Sequence, residues 1–210
     1  SSSLAYAKRK INEYKIDNVE FIQMDILSLN NLKIKFDIIE CGGVLHHMDD
    51  PMKGLEALIN VSKNKSFFKL ALYSDLARQD IVRARNIIKH LGINDDDLSI
   101  RRFRNEIIKG CFPDLNNLMT FNDFYSTSMF RDLCFHVKEH RFNIEIIKEF
   151  IEKYNFNFLG FNLPLKTHEL YNSYFPKDRK QKNLDQWNDL EEKHPSTFKS
   201  MYQFWVNFKE

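Results

Sequence analysis

The 210 residues include 43% hydrophobic side chains, enough for a domain with a buried core. Lys and Arg total 31 and Asp and Glu total 29, so the net charge of +2 gives no sign of a nucleic-acid partner. No apolar run approaches the ~20 residues of a membrane span, so we expect no membrane partner. Three widely spaced cysteines without a CxxC motif are typical of the cytoplasm, where we expect the protein to lie.

The first 74 residues show the spacing of alternating helices and strands. Leu4, Ala7 and Ile11 recur at helical intervals, and Pro51 suits the first position of a helix that Asp50 caps. We predict helices over 4–15 and from 51 onward, and strands over 19–24, 36–41 and 67–73. This short alternation favours an α/β fold with a parallel sheet and crossover helices.

The rest of the chain is predicted to be mainly helical. We predict helices over 75–91, 97–109 and 143–154, and a strand over 156–163. Gly92 and Gly110 stop the first two of these helices, and the tail after residue 163 is polar and aromatic with little periodicity. The expected division is a ligand-binding core over 1–74, a helical insertion with a returning strand over 75–165, and a C-terminal extension over 166–210.

The strand ends point to candidate site residues, because ligands of open α/β sheets bind outside the carboxyl ends of the strands. Glycines at such an end, here Gly42 and Gly43, allow the backbone to approach a ligand closely. The adjacent His46 and His47 cannot share one face of an element, so we expect no metal site from this pair. We interpret one histidine as structural and the other as a proton acceptor or orienter.

The same residues carry a family resemblance. The series SLAYAKRK, NVEFIQMDIL, FDIIECGGVLHHMDDP and FFKLALYS, within residues 1–74, resembles class I S-adenosylmethionine-dependent methyltransferases. The segments DFYSTSMFRDLCFHVKEHRF and HPSTFKSMYQFW resemble the C-terminal region of bacterial methyltransferases that carry tetratricopeptide repeats. The resemblance implies a Rossmann-like, doubly wound, mostly parallel sheet, and an N-terminal repeat domain in a longer chain.

The resemblance also implies methyl transfer from S-adenosylmethionine to a small-molecule or protein acceptor. It places Asp25 near the adenine amino group, Ile26 on the adenine ring, and Cys41, Gly42 and Gly43 beside the methionine end of the cofactor. It places the chemistry at His46 and His47. The substrate side is expected at Tyr73, Tyr125, Arg131, His136 and His140, polar side chains at the end of the third strand and in the segment after it.

The sequence also departs from the family pattern. The first strand of the family, its Gly-rich turn and the acid that grips the ribose hydroxyls have no counterpart here, and the chain lacks an initiator Met. We therefore expect a fragment of a longer protein, which by itself binds the cofactor weakly or not at all and is inactive. Lys63 to Ser66 replace the usual Pro-Gly-Gly turn.

Three other sequence patterns suggest a different chemistry or a charged surface. His136-x-x-Glu139-His140 matches an inverted zinc-peptidase motif, but no further peptidase feature accompanies it, so we expect no metal. Tyr6-x-x-x-Lys10 has the catalytic spacing of short-chain dehydrogenases, but it precedes the wrong strand. Arg78, Arg83, Arg85 and Lys89 are interpreted as a solvated helix face. A nicotinamide-dependent oxidoreductase and a non-catalytic protein-binding module on a methyltransferase shell stay open as alternatives.

Overall fold

The computed structural model describes residues 1–136 and 138–209. The helices in this part of the chain are α1 (Ser2–Glu13), α2 (Pro51–Asn60), α3 (Gln79–Leu91), α4 (Asp97–Ile108), α5 (Thr127–Phe135), α6 (Ile144–Lys153), α7 (Leu165–Tyr174) and α8 (Leu184–Lys193). The strands are β1 (Phe36–Gly42), β2 (Ser62–Leu72), β3 (Phe156–Phe161) and β4 (Tyr202–Phe208). Short 3-10 helices cover Ile26–Asn31, Leu45–His47, Leu76–Arg78, Pro113–Thr120 and Asn122–Tyr125.

The strands form one sheet in the order β1-β2-β4-β3. β1 and β2 are parallel, whereas β4 runs antiparallel to both β2 and β3. The predicted α/β class is confirmed, and the described sheet is mixed where a mostly parallel sheet was expected. The difference arises from β4, which the sequence interpretation left in an aperiodic tail and which lies inside the sheet.

The strand predicted over residues 19–24 is wrong. These residues have no strand conformation, and Val19 and Ile22 are 42% and 53% exposed. A strand is stabilised by hydrogen bonds to a neighbour, and β1 pairs only with β2 among the strands that the structure describes. Apolar alternation alone therefore does not establish a strand here.

The helix boundaries agree with the capping signals. Asp50 accepts hydrogen bonds from the backbone N–H groups of Met52 and Lys53, and Pro51 opens α2 as predicted. Gly92 ends α3 in a left-handed conformation with φ of 62°. Local signals of this kind act within one turn, so the sequence alone predicts them well.

Two hydrophobic cores organise the molecule. One packs α2, α6 and α8 against the sheet, with Phe68, Phe204 and Trp187 fully buried. The other lies within the helical unit, defined here as residues 79–135, around Phe103 and Phe130. Strands from all three predicted segments pair in the single sheet, and the three-part division stays a prediction. No helix in the described residues combines the length and apolarity needed to cross a membrane.

Candidate functional site

The carboxyl ends of β1 and β2 lie side by side, because the two strands are parallel and Gly42 pairs with Ala71. Gly42 ends β1 and Gly43 follows it, and Tyr73 follows β2. A Cβ built on Gly43 would meet no atom within 4 Å, and the φ of Gly43 is 74°. The turn after β1 is therefore open, exposed backbone in a conformation that favours glycine.

The other predicted cofactor residues border this edge in different ways. Asp25 is exposed, and its carboxylate accepts a hydrogen bond from the Leu27 N–H at 2.8 Å, so it caps the 3-10 helix over 26–31. Ile26 is partly buried against the sheet core. Burial raises the pKa of the Cys41 thiol to about 11, so this side chain is a neutral packing group. Their contacts with a cofactor stay predictions.

His46 is completely buried, and neither ring nitrogen has a hydrogen-bond partner among residues 1–136 and 138–209. Burial lowers its pKa to about 3, so the imidazole is neutral at pH 7. Its ring stacks on Tyr73, with 3.7 Å between ring centroids and 23° between planes. A buried neutral imidazole with both nitrogens unpaired is costly unless a ligand or water satisfies it.

His47 is less buried than His46 and is oriented differently. Its Nδ1 donates to the Lys138 carbonyl over 2.9 Å, which fixes the tautomer and leaves Nε2 as an acceptor. Burial lowers the pKa of His47, and the Lys138 carbonyl opposes that shift. The His136 ring lies 3.9 Å from the His47 ring, so the structure brings the predicted residues His46, His47, Tyr73 and His136 together.

A buried ion cluster supports this group, and the sequence interpretation missed it. Arg78 binds Glu139 through two hydrogen bonds, Nε to Oε1 at 2.9 Å and Nη2 to Oε2 at 2.6 Å. Arg85 Nη2 donates to the same carboxylate at 2.8 Å. The Arg78 and Glu139 side chains are 3% and 1% exposed. The Arg78 guanidinium also lies 3.6 Å from the centroid of the Tyr73 ring.

The solvated helix face predicted for Arg78 and Arg85 is therefore wrong, although Arg83 is half exposed beside Asp80. The reason is that Glu139, 61 residues beyond Arg78, supplies the counter-charge from another part of the chain. No local pattern could have shown this partner. The unusual position of Glu139 inside the His-x-x-Glu-His pattern was its one visible signal.

Glu139 is thus occupied by arginines, and Val137 of that same pattern lies outside the described residues. The part of the chain that the structure describes contains no group of three or more His, Cys, Asp or Glu arranged to hold a metal ion.

The remaining predicted substrate residues lie apart from the histidines. Tyr125 is 66% exposed and donates to the Met119 carbonyl, and Arg131 binds the Asp97 carboxylate at 2.6 Å. The side chain of His140 is exposed, while its backbone N–H donates to the His46 carbonyl at 2.7 Å. The expected dense cluster is therefore not formed as a unit, and the roles of these residues in acceptor binding stay predictions.

A cavity of about 570 Å³ is lined on one side by Tyr73 and Arg78. Residues 120–123 of the helical unit, residues 162–164 after β3, and residues 196–201 before β4 form much of its wall. The cavity lies between the helical unit and the C-terminal segments, next to the edge where β1 and β2 end.

Comparisons with known proteins add to this geometry. Residues 1–104 match the family described as a methyltransferase domain. An uncharacterized protein of Synechococcus sp. is 29% identical over 174 residues, which is 77% of this chain and 41% of that protein. A tRNA U34 carboxymethyltransferase of Campylobacter fetus subsp. fetus is 44% identical over 48 residues, which is 23% of this chain and 17% of the relative.

Two solved structures of PKMT2 from Rickettsia typhi share the fold. The TM-score is 0.61 at 18% identity for one, and 0.63 at 16% identity for the other, which is in complex with AdoHcy. Each alignment covers 95% of this chain, which spans 40% and 41% of those chains. The match of residues 1–104 to the methyltransferase domain family confirms the resemblance to class I methyltransferases.

Proposed function

We propose that the protein carrying this sequence transfers a methyl group from S-adenosylmethionine to a polar acceptor, as an enzyme of the cytoplasm. The observation that carries the proposal is the open Gly42-Gly43 turn at the edge where two parallel strands end, the place where ligands of α/β sheets bind. The methyltransferase domain match and the AdoHcy-bound structural neighbour support the identity of the cofactor.

In this proposal, the residues around the edge hold different parts of the cofactor. The backbone at Gly42 and Gly43 faces its methionine end, where the open space above Gly43 admits close approach. The exposed Asp25 carboxylate has free acceptor capacity for the adenine amino group, and Ile26 offers an apolar surface for the ring. Cys41 supports the strand end from the core side.

The bound cofactor would supply an electrophilic methyl group, so the protein mainly aligns the acceptor and excludes water. A base is needed only if the acceptor atom carries a proton. His47 Nε2 is the stronger candidate, because this nitrogen is an acceptor on a partly exposed ring. His46 is neutral and deeply buried, which suits a positioning role behind Tyr73.

The two alternative functions make different demands on the sheet edge where β1 and β2 end. A nicotinamide-dependent oxidoreductase would place its cofactor here but would transfer a hydride, and the methyltransferase domain match favours methyl transfer. A protein-binding module would need no cofactor at all, although exposed aromatic side chains such as Tyr174 suit protein contacts.

Calorimetric titration of S-adenosylmethionine into the full-length protein that carries this sequence tests the proposal, with Gly43→Val as the variant. We expect wild-type binding and no detectable binding by Gly43→Val, because a branched side chain fills the space that the cofactor needs. Gly110→Val is the matched control, since Gly110 has a φ of 78° and no atom within 4 Å of a built Cβ. Both variants strain the backbone to the same extent, so Gly110→Val should still bind S-adenosylmethionine. The proposal is contradicted if Gly110→Val loses as much binding as Gly43→Val, or if the wild-type protein does not bind.

A further inference from the structure

The cavity at Tyr73 is separate from the proposed cofactor site. The residues assigned to the cofactor are all among those that the structure describes, and none of them lines this cavity. We propose, on the basis of the methyl transfer proposed above, that this cavity is the methyl-acceptor site. We further propose that it takes a non-aromatic polar group, such as an aliphatic amine, alcohol or acid, which the Tyr73 hydroxyl anchors.

Both faces of the Tyr73 ring are covered. The His46 ring is stacked at 3.7 Å, and the Arg78 guanidinium carbon lies 3.6 Å from the same centroid. Two planar groups at such short distances cannot share one face, so they lie on opposite sides of the ring. Glu139 in turn holds Arg78 through two hydrogen bonds, which makes the stack rigid.

Because both faces of the Tyr73 ring are covered, the structure favours a non-aromatic methyl acceptor. Recognition of a nucleobase in most single-strand-binding sites uses an aromatic face on which the base stacks, and Tyr73 has no free face to offer. Two further aromatic rings line the cavity: Phe121 packs against the core of the helical unit and has Lys199 Nζ 4.6 Å from its ring centroid, and Phe198 is 1% exposed. Its hydroxyl has no hydrogen-bond partner in the described residues, and this residue lines the cavity. Burial raises the pKa of Tyr73, so the hydroxyl stays protonated. It can therefore donate a hydrogen bond to a polar group of the methyl acceptor.

The rest of the lining also suits a polar ligand. The side chains of Asn122, Asp123, Thr167 and Ser196 line the cavity and form no hydrogen bond or ion pair within residues 1–136 and 138–209. The carboxylate of Asp123 is therefore available to pair with a ligand ammonium group, and the others donate and accept hydrogen bonds. A volume of about 570 Å³ lies within the range of sites for small ligands.

Transfer of a radiolabelled methyl group from S-adenosylmethionine tests the inference. The probes are three separate pools from cells that express the protein: metabolites below roughly 1 kDa, protein and RNA. Label in metabolites or on aliphatic protein side chains is the expected result, and the two pools distinguish these sources. Label in RNA bases, or cofactor binding without label in any pool, overturns the inference.

Two variants link the transfer to the cavity. Tyr73→Phe keeps the stacked ring but loses the hydroxyl, so transfer should fall by about three- to tenfold with an unchanged Kd for S-adenosylmethionine. Thr167→Trp fills the cavity from α7 and should abolish transfer with the same unchanged Kd. Glu169→Trp, at an exposed position on the same helix, is the control for bulk and should transfer normally.

The failures of the two proposals are distinguishable. If the wild-type full-length protein does not bind S-adenosylmethionine, the proposed function fails. If it binds the cofactor and Thr167→Trp or Tyr73→Phe transfers at the wild-type rate, only the acceptor site is wrong.

Discussion

Removal of the Glu139 charge should destabilise the fold strongly. The carboxylate is 1% exposed and accepts three hydrogen bonds from Arg78 and Arg85. Breaking a buried pair by neutralising one partner leaves the other charge uncompensated and costs about 3–5 kcal/mol. For a domain whose whole stability is about 5–15 kcal/mol, Glu139→Gln should lower the free energy of unfolding by about 3 kcal/mol.

Urea unfolding followed by circular dichroism measures this change through the shift in midpoint. The control is Glu145→Gln, because Glu145 pairs with Lys148 at 3.4 Å and is 57% exposed. That exposed pair should contribute less than about 1 kcal/mol. If Glu139→Gln costs no more than the control, the cluster is solvated and the rigid support inferred for Tyr73 is wrong.

Three further predictions concern stability. His46 has a pKa of about 3 in the folded protein against 6.5 as the ordinary value, so unfolded chains bind more protons between these pH values. The free energy of unfolding should therefore decrease as pH falls below 6.5, by up to about 1.4 kcal/mol per pH unit. Urea titrations at several pH values measure this dependence, and His46→Phe should make it less steep. Tyr202→Phe removes a donor to the buried Glu191 carboxylate and should lower the free energy of unfolding by about 1–3 kcal/mol in the same assay. Gly43→Ala should lower the free energy of unfolding by about 1–2 kcal/mol, because the φ of 74° is unfavourable for alanine, while a Cβ at this position meets no atom. Thermal melts measure the change, and a fall in Tm much larger than that of Gly110→Ala would contradict this reason.

Local signals made much of the fold predictable. Asp50-Pro51 and Gly92 act on backbone groups within one turn, so α2 and α3 were located by the sequence alone. β4 also carries a readable alternation, with Tyr202, Phe204 and Val206 buried, but it was missed within an aromatic tail. Its place between β2 and β3 is set by pairing with strands far away in sequence, which no local pattern encodes.

The candidate site also contains some features that the sequence predicts and others that it does not. Gly42 ends β1, and Gly43 and the paired histidines lie within five residues of that strand end, so their place at the sheet edge was predictable. The support of Tyr73 was not predictable, because Arg78 and Glu139 are 61 residues apart and no local pattern pairs them. Tyr125 and Arg131 illustrate the converse, since polar residues close in sequence make their contacts inside the helical unit.

A crystal structure of the full-length protein with AdoHcy tests the central claim most directly. The account predicts that the ligand lies at the carboxyl ends of β1 and β2, with its homocysteine end against Gly42 and Gly43 and its adenine between Asp25 and Ile26. Ligand bound elsewhere on the described fold, with the Gly42-Gly43 turn still open to solvent, would contradict the assignment of this edge as the cofactor site.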